Sequence, residues 1–287
     1  MSLFAMALLF ASAVLHTLWN LLLKQSEERA LLTWWAVLVG AGLFAPFLFF
    51  LDWPGAAVWP LLLASVGLEV VYYLVLSFAY SQSDFSLIYP LARGAAPALI
   101  ALWAVLFLGE KLSPGGWAGL TVIVLGLWMV GGSGFVAGGL SGTGRPTVRG
   151  GGVGLALLVA LLISIYSTID AAAVRRTEAL SYTVLVFLLA PLLTAPLVLI
   201  RYRRRVWQAW RKPGRILAIG WLTVSAYLLA LLAYRIAPLG YGGAVREVSV
   251  VFGALAGWRL LGERMGPLRL AGAVVIFAGI MLIAVWG

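Results

Sequence analysis

A chain of 287 residues that is 63% hydrophobic and 10% charged lacks the polar stock to cover a water-soluble surface, where about 45–50% and 25% are usual; a soluble enzyme or regulator is excluded. The net charge of +10 would suit nucleic acid, but seven basic residues lie between Arg201 and Arg215 and most others sit just outside apolar runs, the distribution of a membrane protein. The absence of cysteine removes disulfides, thiolate catalysis and thiolate metal sites.

A helix crossing about 30 Å of hydrocarbon needs about 20 largely apolar residues, because lipid offers no partner to unpaired backbone groups. The chain supplies ten such runs. The first is 3–23; the N-terminus, Met1-Ser-Leu-Phe, has neither a positive leader region nor a small-residue cleavage site, so the run is read as a retained span. Ser12, His16, Trp19 and Asn20 fall on one face of it, at i, i+4, i+7 and i+8. After the run 31–51, the third run, 57–80, places Glu69, Tyr72, Tyr73, Leu76 and Tyr80 on one face. The fourth, 85–108, holds Arg93 with Tyr89 one turn before it and the helix disruptors Pro90 and Pro97 on either side. A fifth run, 114–132, closes the first half.

From Gly131 to Gly154, eleven of 24 residues are Gly; such a segment buries no core and is read as a flexible, exposed linker. The expected division is a first five-helix repeat at 1–132, a Gly-rich linker at 133–152 and a second five-helix repeat at 153–287. The second half repeats the pattern with runs at 153–173, 179–200, 216–235, 239–261 and 267–286. Tyr166, Ser167 and Asp170 cluster in the first of these; Thr223, Tyr227 and Tyr234 line one face of the third. The fourth carries Arg246 beside Glu247, with Gly242, Ser249 and Gly253 on the arginine's face. Gly253 and Gly257 form a Gly-x-x-x-Gly pattern, read as tight helix packing.

The halves are copies. At an offset of 153 residues, nine of the 19 columns from Leu108 to Gly126 are identical, pairing Leu108-Gly109-Glu110 with Leu261-Gly262-Glu263, Pro114 with Pro267, and Gly119 and Gly126 with Gly272 and Gly279. Lys111 and Arg264 extend the match. Because each copy has an odd number of spans, the second enters the membrane from the opposite side. The fold class is therefore an all-α integral membrane protein with ten transmembrane helices as two inverted five-helix repeats, an arrangement suited to alternating access around a midplane site. Glu110 and Glu263, at span edges, are read as turn-and-cap residues favouring the following helix's N-terminus.

Charges at mid-membrane cost on the order of 2.5–3.5 kcal/mol and so need a reason. Arg93 and Arg246 coincide under the same offset and should sit near one another as symmetry mates. A guanidinium matches carboxylate, phosphate or phosphonate with two parallel hydrogen bonds, so one or both arginines bind an anionic group of a substrate. The alternative is fixed internal pairing, Arg93 with Glu69 and Arg246 with Glu247 or Asp170. Both hold if substrate competes with the carboxylate. The substrate-binding set is then Arg93, Arg246, Glu69, Tyr72, Tyr73, Tyr89, His16, Trp19, Asn20, Tyr166, Asp170 and Tyr227. Glu69 and Glu247 are candidates for proton coupling, and exchange against a counter-substrate is the other coupling open. One histidine, no cysteine, and neither a His-Glu-x-x-His nor a Gly-x-Ser-x-Gly pattern leave no catalytic residue, metal or cofactor to assign.

Outside the two buried arginines, 14 basic residues follow runs 1, 5, 7 and 9, against four after runs 4, 6 and 8. The positive-inside rule places both termini outside a cell (inner) membrane. The stretch 201–215, with Trp207 and Trp210, suits an anionic leaflet, where each basic residue gains roughly 1 kcal/mol. No compact domain accompanies it, so nucleic acid is not a partner.

The paired Leu-Gly-Glu-[Lys/Arg] … Pro … Gly … Gly blocks, and the opening His16-Thr-Leu-Trp19-Asn20 with Lys24, resemble the EamA-type members of the drug/metabolite transporter superfamily. The resemblance implies a secondary transporter or exporter of metabolites, with a cavity walled by helices 1, 3, 4, 6, 8 and 9 and no universal catalytic residue. It also implies cytoplasmic termini, the reverse of the charge bias. The function expected is alternating-access transport of a small polar, zwitterionic or anionic metabolite; the alternative is a flippase of a lipid or lipid-linked headgroup.

Overall fold

The computed structural model describes residues 1–26, 29–82, 85–140, 151–261 and 267–287; within these, the side chains of 80–91 and 131–140 and a few single positions lie outside the description. Every described element is helical: α1 (Leu3–Lys24), α2 (Arg29–Phe44) continued by a 3-10 turn (Ala45–Phe49), α3 (Trp59–Gln82), α4 (Phe85–Leu108), α5 (Pro114–Leu140), α6 (Gly151–Val174), α7 (Ala179–Tyr202), a 3-10 segment (Arg203–Arg211), α8 (Pro213–Ile236), α9 (Leu239–Arg246), α10 (Val248–Leu261) and α11 (Pro267–Trp286). Among the described residues, 6 helical stretches are long and apolar enough to cross a membrane, and the shorter apolar helices Ala92–Leu108, Pro114–Val130 and Leu270–Trp286 add to them. The chain is a multi-pass membrane protein.

Two elements depart from the sequence expectation. The linker expected from 133 is helical as far as Leu140, where it prolongs α5. The ninth apolar run is two helices, because Glu247 interrupts it: the Glu247 N–H bonds Ala244 O at 3.1 Å and the Val250 N–H bonds Glu247 O at 2.9 Å. These are three-residue steps, which tighten a helix locally and often mark a hinge. Gly240, Gly242 and Gly243 just before it lower the helical preference of α9.

Contacts between helix ends fix the directions. Arg215, at the start of α8, donates to Gln25 O at 3.0 Å and to Ser26 Oγ at 3.1 Å, just past the end of α1. α1 and α8 therefore run oppositely. Arg175, just past the end of α6, donates from Nε to Tyr234 O at 3.3 Å, near the end of α8. α6 and α8 therefore run the same way, and α1 and α6 are opposed. α5 and α11 are also antiparallel, and the repeated glycines are the reason they pack so closely. A Cβ on Gly119 would stand 2.8 Å from Gly279 O and one on Gly126 2.9 Å from Gly272 O, with reciprocal distances of 2.7 and 2.8 Å. Only glycine admits that approach. Gly253 is different: it is exposed and nothing lies within 4 Å of its Cβ position, so the tight packing expected of Gly253 and Gly257 is absent at Gly253, and the Gly257 position lies outside the described side chains.

The bundle thus has two ends. One, the basic face, holds the 201–215 segment and the α1–α2 connection. The other, the termini face, holds both chain ends with residues 109–113, 175–178 and 237–238. The basic segment is docked rather than loose: Val206 and Ala209 are buried against α2 and α8, Trp35 Nε1 donates to Val206 O at 2.8 Å, and the Trp35 ring lies 5.3 Å from both Trp207 and Trp210.

Candidate functional site

The break at Glu247 sets one carboxylate toward α4. Arg93 Nη1 donates to Glu247 Oε1 at 3.1 Å. Its Nη2 lies 3.2 Å from His16 Nε2; a guanidinium has no acceptor, so the imidazole nitrogen accepts. The pairing expected between Arg93 and Glu69 is replaced by this one, because the hinge carries Glu247 across the 153-residue symmetry toward the other arginine. Glu247 Oε2 is buried without a hydrogen-bond partner among the described residues. Thr17 Oγ1, on α1, donates to Ser249 O at 3.2 Å and ties α1 to α10.

Arg246 pairs with neither Glu247 nor Asp170: no described carboxylate lies within ion-pair distance of it. Its guanidinium instead stands over the Tyr227 ring, 5.4 Å from the centroid, a cation–π contact strengthened by desolvation. Asp170 is fully buried; its Oδ1 accepts from Tyr182 OH at 2.6 Å and its Oδ2 accepts from Tyr227 OH. Tyr227 thus joins the carboxylate to the arginine. Ser65, on α3, is buried beside Asp170, its hydroxyl without a hydrogen-bond partner among the described residues.

The remaining candidates line the same interior. Glu69 is 5% exposed. The Tyr72 ring lies tilted 5.0 Å from Tyr73 and 5.9 Å from Tyr166, and Tyr72, Leu76 and Tyr166 pack against the same buried cluster of α4 and α6. His16 meets the Trp19 ring edge-on at 5.1 Å, while Asn20 Nδ2 donates to His16 O at 2.7 Å. Tyr73 is 48% exposed, one turn from buried Glu69, and Asn20 is exposed one turn after His16. Both exposed positions lie on the basic-face side of the buried polar groups. Tyr89 and Tyr80 fall outside the described side chains. Thr223, grouped with Tyr227 by spacing, only returns its hydroxyl to Ile219 O at 2.7 Å.

Sequence reasoning missed Tyr182. It lies among Ser181 and Thr183 at the start of a run whose polar residues form no stripe, so only its proximity to Asp170 identifies it. Among the described residues no three His, Cys, Asp or Glu side chains converge as metal ligands.

A helical bundle with carboxylates, guanidinia and phenols gathered between its spans defines a membrane transporter. Residues 3–132 and again 150–285 match the EamA-like transporter family, and the chain belongs to that family, within the drug/metabolite transporter superfamily. A solved structure titled only as the crystal structure of a protein superposes with a TM-score of 0.78, covering 99% of each chain at 19% identity; that likeness is one of fold. No curated protein matches the sequence.

Proposed function

We propose that the protein is a secondary transporter of a small zwitterionic or anionic metabolite, working by alternating access between two inverted five-helix repeats. The opposed directions of α1 and α6 and the antiparallel, reciprocal glycine contacts of α5 and α11 support the inverted repeat. One observation carries the substrate reading: Arg246 stands without a described carboxylate in reach, next to Glu247, whose Oε2 is buried without a partner. A half-buried guanidinium held against a tyrosine ring and a buried carboxylate oxygen each lose hydration that an oppositely charged partner restores. A ligand bearing an acidic group and an ammonium supplies both, with the phenols of Tyr72, Tyr73, Tyr166 and Tyr227 around it.

Glu69 and Glu247 are the groups through which a proton or a counter-substrate couples to this exchange. The polar residues argue for a closed chamber over a lipid-facing groove, since Glu69, Asp170 and Glu247 are 5%, 0% and 7% exposed; the flippase reading needs such groups at the lipid boundary. The basic face is cytoplasmic on the 14-to-4 distribution of basic residues, with Arg201–Arg211 against the anionic leaflet of the inner membrane. A reporter fused to the C-terminus checks the orientation.

The test is a thermal-shift and proteoliposome-transport screen of amino acids, amines, phosphorylated compounds and phosphonates. Arg246→Gln should weaken any ligand found by roughly tenfold to a hundredfold, with Arg246→Lys between, as expected for a charge-assisted bond. Unchanged affinity in folded Arg246→Gln refutes the assignment.

A further inference from the structure

We propose that Glu110 and Arg175 are the gate residues of the termini face, joined into a latch that holds that face shut and must part for the chamber to open there. The inference rests on the alternating-access reading above.

The latch begins with a turn. α4 ends at Leu108, and Gly109 takes φ +66, the left-handed conformation that glycine adopts without strain. This reverses the chain, fixed by the Glu110 N–H bonding Ala104 O at 3.1 Å, and sets the Glu110 carboxylate beneath α9. Glu110 Oε1 accepts from the Leu239 N–H at 2.7 Å and Oε2 from the Gly240 N–H at 3.1 Å. A carboxylate of the first half therefore caps a helix of the second, where the helix dipole favours negative charge. The expected role of Glu110 was a cap for the following helix, α5. That position is filled by Ser113, whose Oγ accepts from the Gly116 N–H at 2.9 Å.

Arg175 completes the arrangement. Its Nη2 donates to Glu110 Oε1 at 2.5 Å and to Ala237 O at 3.5 Å, and its Nε donates to Tyr234 O at 3.3 Å. A cation thus lies against the carbonyls that end α8, and an anion against the amides that start α9. Each charge complements a helix terminus, and the two charges bind each other. The Glu110 side chain is 8% exposed and that of Arg175 31%, so the carboxylate is largely desolvated and the bond is worth more than at a surface. The neighbouring pair Arg235–Glu178, at 3.2 Å, is 38% and 44% exposed and belongs to the class that contributes little.

The position gives the latch its function. It links the α4–α5 connection to the ends of α6, α8 and α9, which are the elements that must separate if the termini face opens. A second tie runs in parallel: the Ser113 N–H donates to Tyr241 OH at 2.8 Å. α9 in turn ends at Arg246 and Glu247, so displacement of its N-terminus reaches the substrate residues within eight residues of helix.

Because the chain has no cysteine, a single Ala101→Cys reports opening. Ala101 is 0% exposed, and its Cα would stand 3.4 Å from a Cβ on Gly240, directly under the latch. Ala36→Cys, also 0% exposed but packed in α2 against Val206 and Ile216 on the basic-face side, reports general loosening. Labelling by a polar maleimide reagent is expected to rise at least roughly tenfold at Ala101→Cys in Glu110→Gln and in Arg175→Gln, in proportion to loss of a charge-assisted bond. Labelling of Ala36→Cys should stay within about twofold, and Arg235→Gln should change neither. Should Glu110→Gln not remain monodisperse, Arg175→Gln decides alone. An unchanged Ala101→Cys rate in folded Arg175→Gln, an equal rise at both cysteines, or the same rise in Arg235→Gln would overturn the gate. The readout needs no substrate, so failure of the latch leaves ligand binding at Arg246 standing, and failure of the ligand screen leaves the labelling result intact.

Discussion

At the termini face Leu9, Ala101, Ala104, Ala173, Ala179, Ala233 and Leu239 are each 0% exposed, and glycine contacts bring backbones together where side chains would stand. Half a bundle away, on the basic-face side, Asn20 and Tyr73 are exposed on inward-facing sides and Gly253 touches nothing within 4 Å of its Cβ position. The same helices pass through both regions. Close backbone contact occurs toward the basic face as well, where a Cβ on Gly40 would stand 2.5 Å from Gly220 O; what differs is that a capped helix terminus closes one end, whereas phenols, an indole and an amide line the interior toward the other. The polar groups lie between the two regions, the position that the proposed gated chamber requires.

Replacing a glycine in the α5–α11 seam, which runs through both regions, should give the largest effect. Gly126→Leu forces a branched side chain where Gly272 O stands 2.9 Å from the Cβ position. Because backbone cannot rotate away, a loss of more than about 3 kcal/mol is expected, beyond ordinary overpacking. Loss of monodisperse protein, or a much lower thermal midpoint, checks it. A fully stable Gly126→Leu would mean that α5 and α11 are not the fixed frame of the bundle.

Next comes the ion pair at the boundary. Arg93→Gln strands Glu247, which already has one oxygen without a described partner, and should cost about 3–5 kcal/mol, the penalty for breaking a buried pair. Arg93→Gln combined with Glu247→Gln should recover most of that loss, because no uncompensated charge remains. Thermal unfolding of the two singles and the double closes the cycle. Additive losses would contradict direct pairing. A smaller effect, about 1–3 kcal/mol, follows from Asp170→Asn, which keeps the shape but replaces one acceptor of the Tyr182 and Tyr227 bonds with a donor. Tyr182→Phe should then cost less in the Asp170→Asn background than alone.

The sequence made much of the frame legible for physical reasons. Six helices long enough to span and three shorter apolar ones stand among the described residues of a chain that must satisfy its backbone in lipid, and the glycines shared by the two halves proved to be contact points of α5 with α11. The site was legible as a set of polar residues, since charge in an apolar run is rare enough to be noticed. Its pairing was not. Which carboxylate meets Arg93 depends on a local tightening at Glu247, and periodicity assumes an unbroken helix. The latch was hidden for a related reason: Glu110 finds its amides in α9, well over a hundred residues away, and no local pattern encodes a cap across that distance. Tyr182 was missed because one phenol in an otherwise uncharged run carries no signal.

The smallest predicted effect is the most direct probe of the difference between the two regions. Gly253→Ala adds a methyl group where nothing lies within 4 Å, on a helix position where alanine is preferred to glycine by roughly 0.5–1 kcal/mol. The substitution should therefore leave the protein as stable as before or slightly more so, read as a thermal midpoint unchanged or raised by a few degrees. The same change at Gly279 meets Ile123 Cγ1 at 2.6 Å and Gly119 O at 2.7 Å and should destabilise. Two alanines in the same half of the sequence would then act with opposite sign, a result that helix preference alone cannot produce. A fall in stability for Gly253→Ala would mean that α10 is packed against a neighbour at that point, and that the basic-face half is as closed as the other.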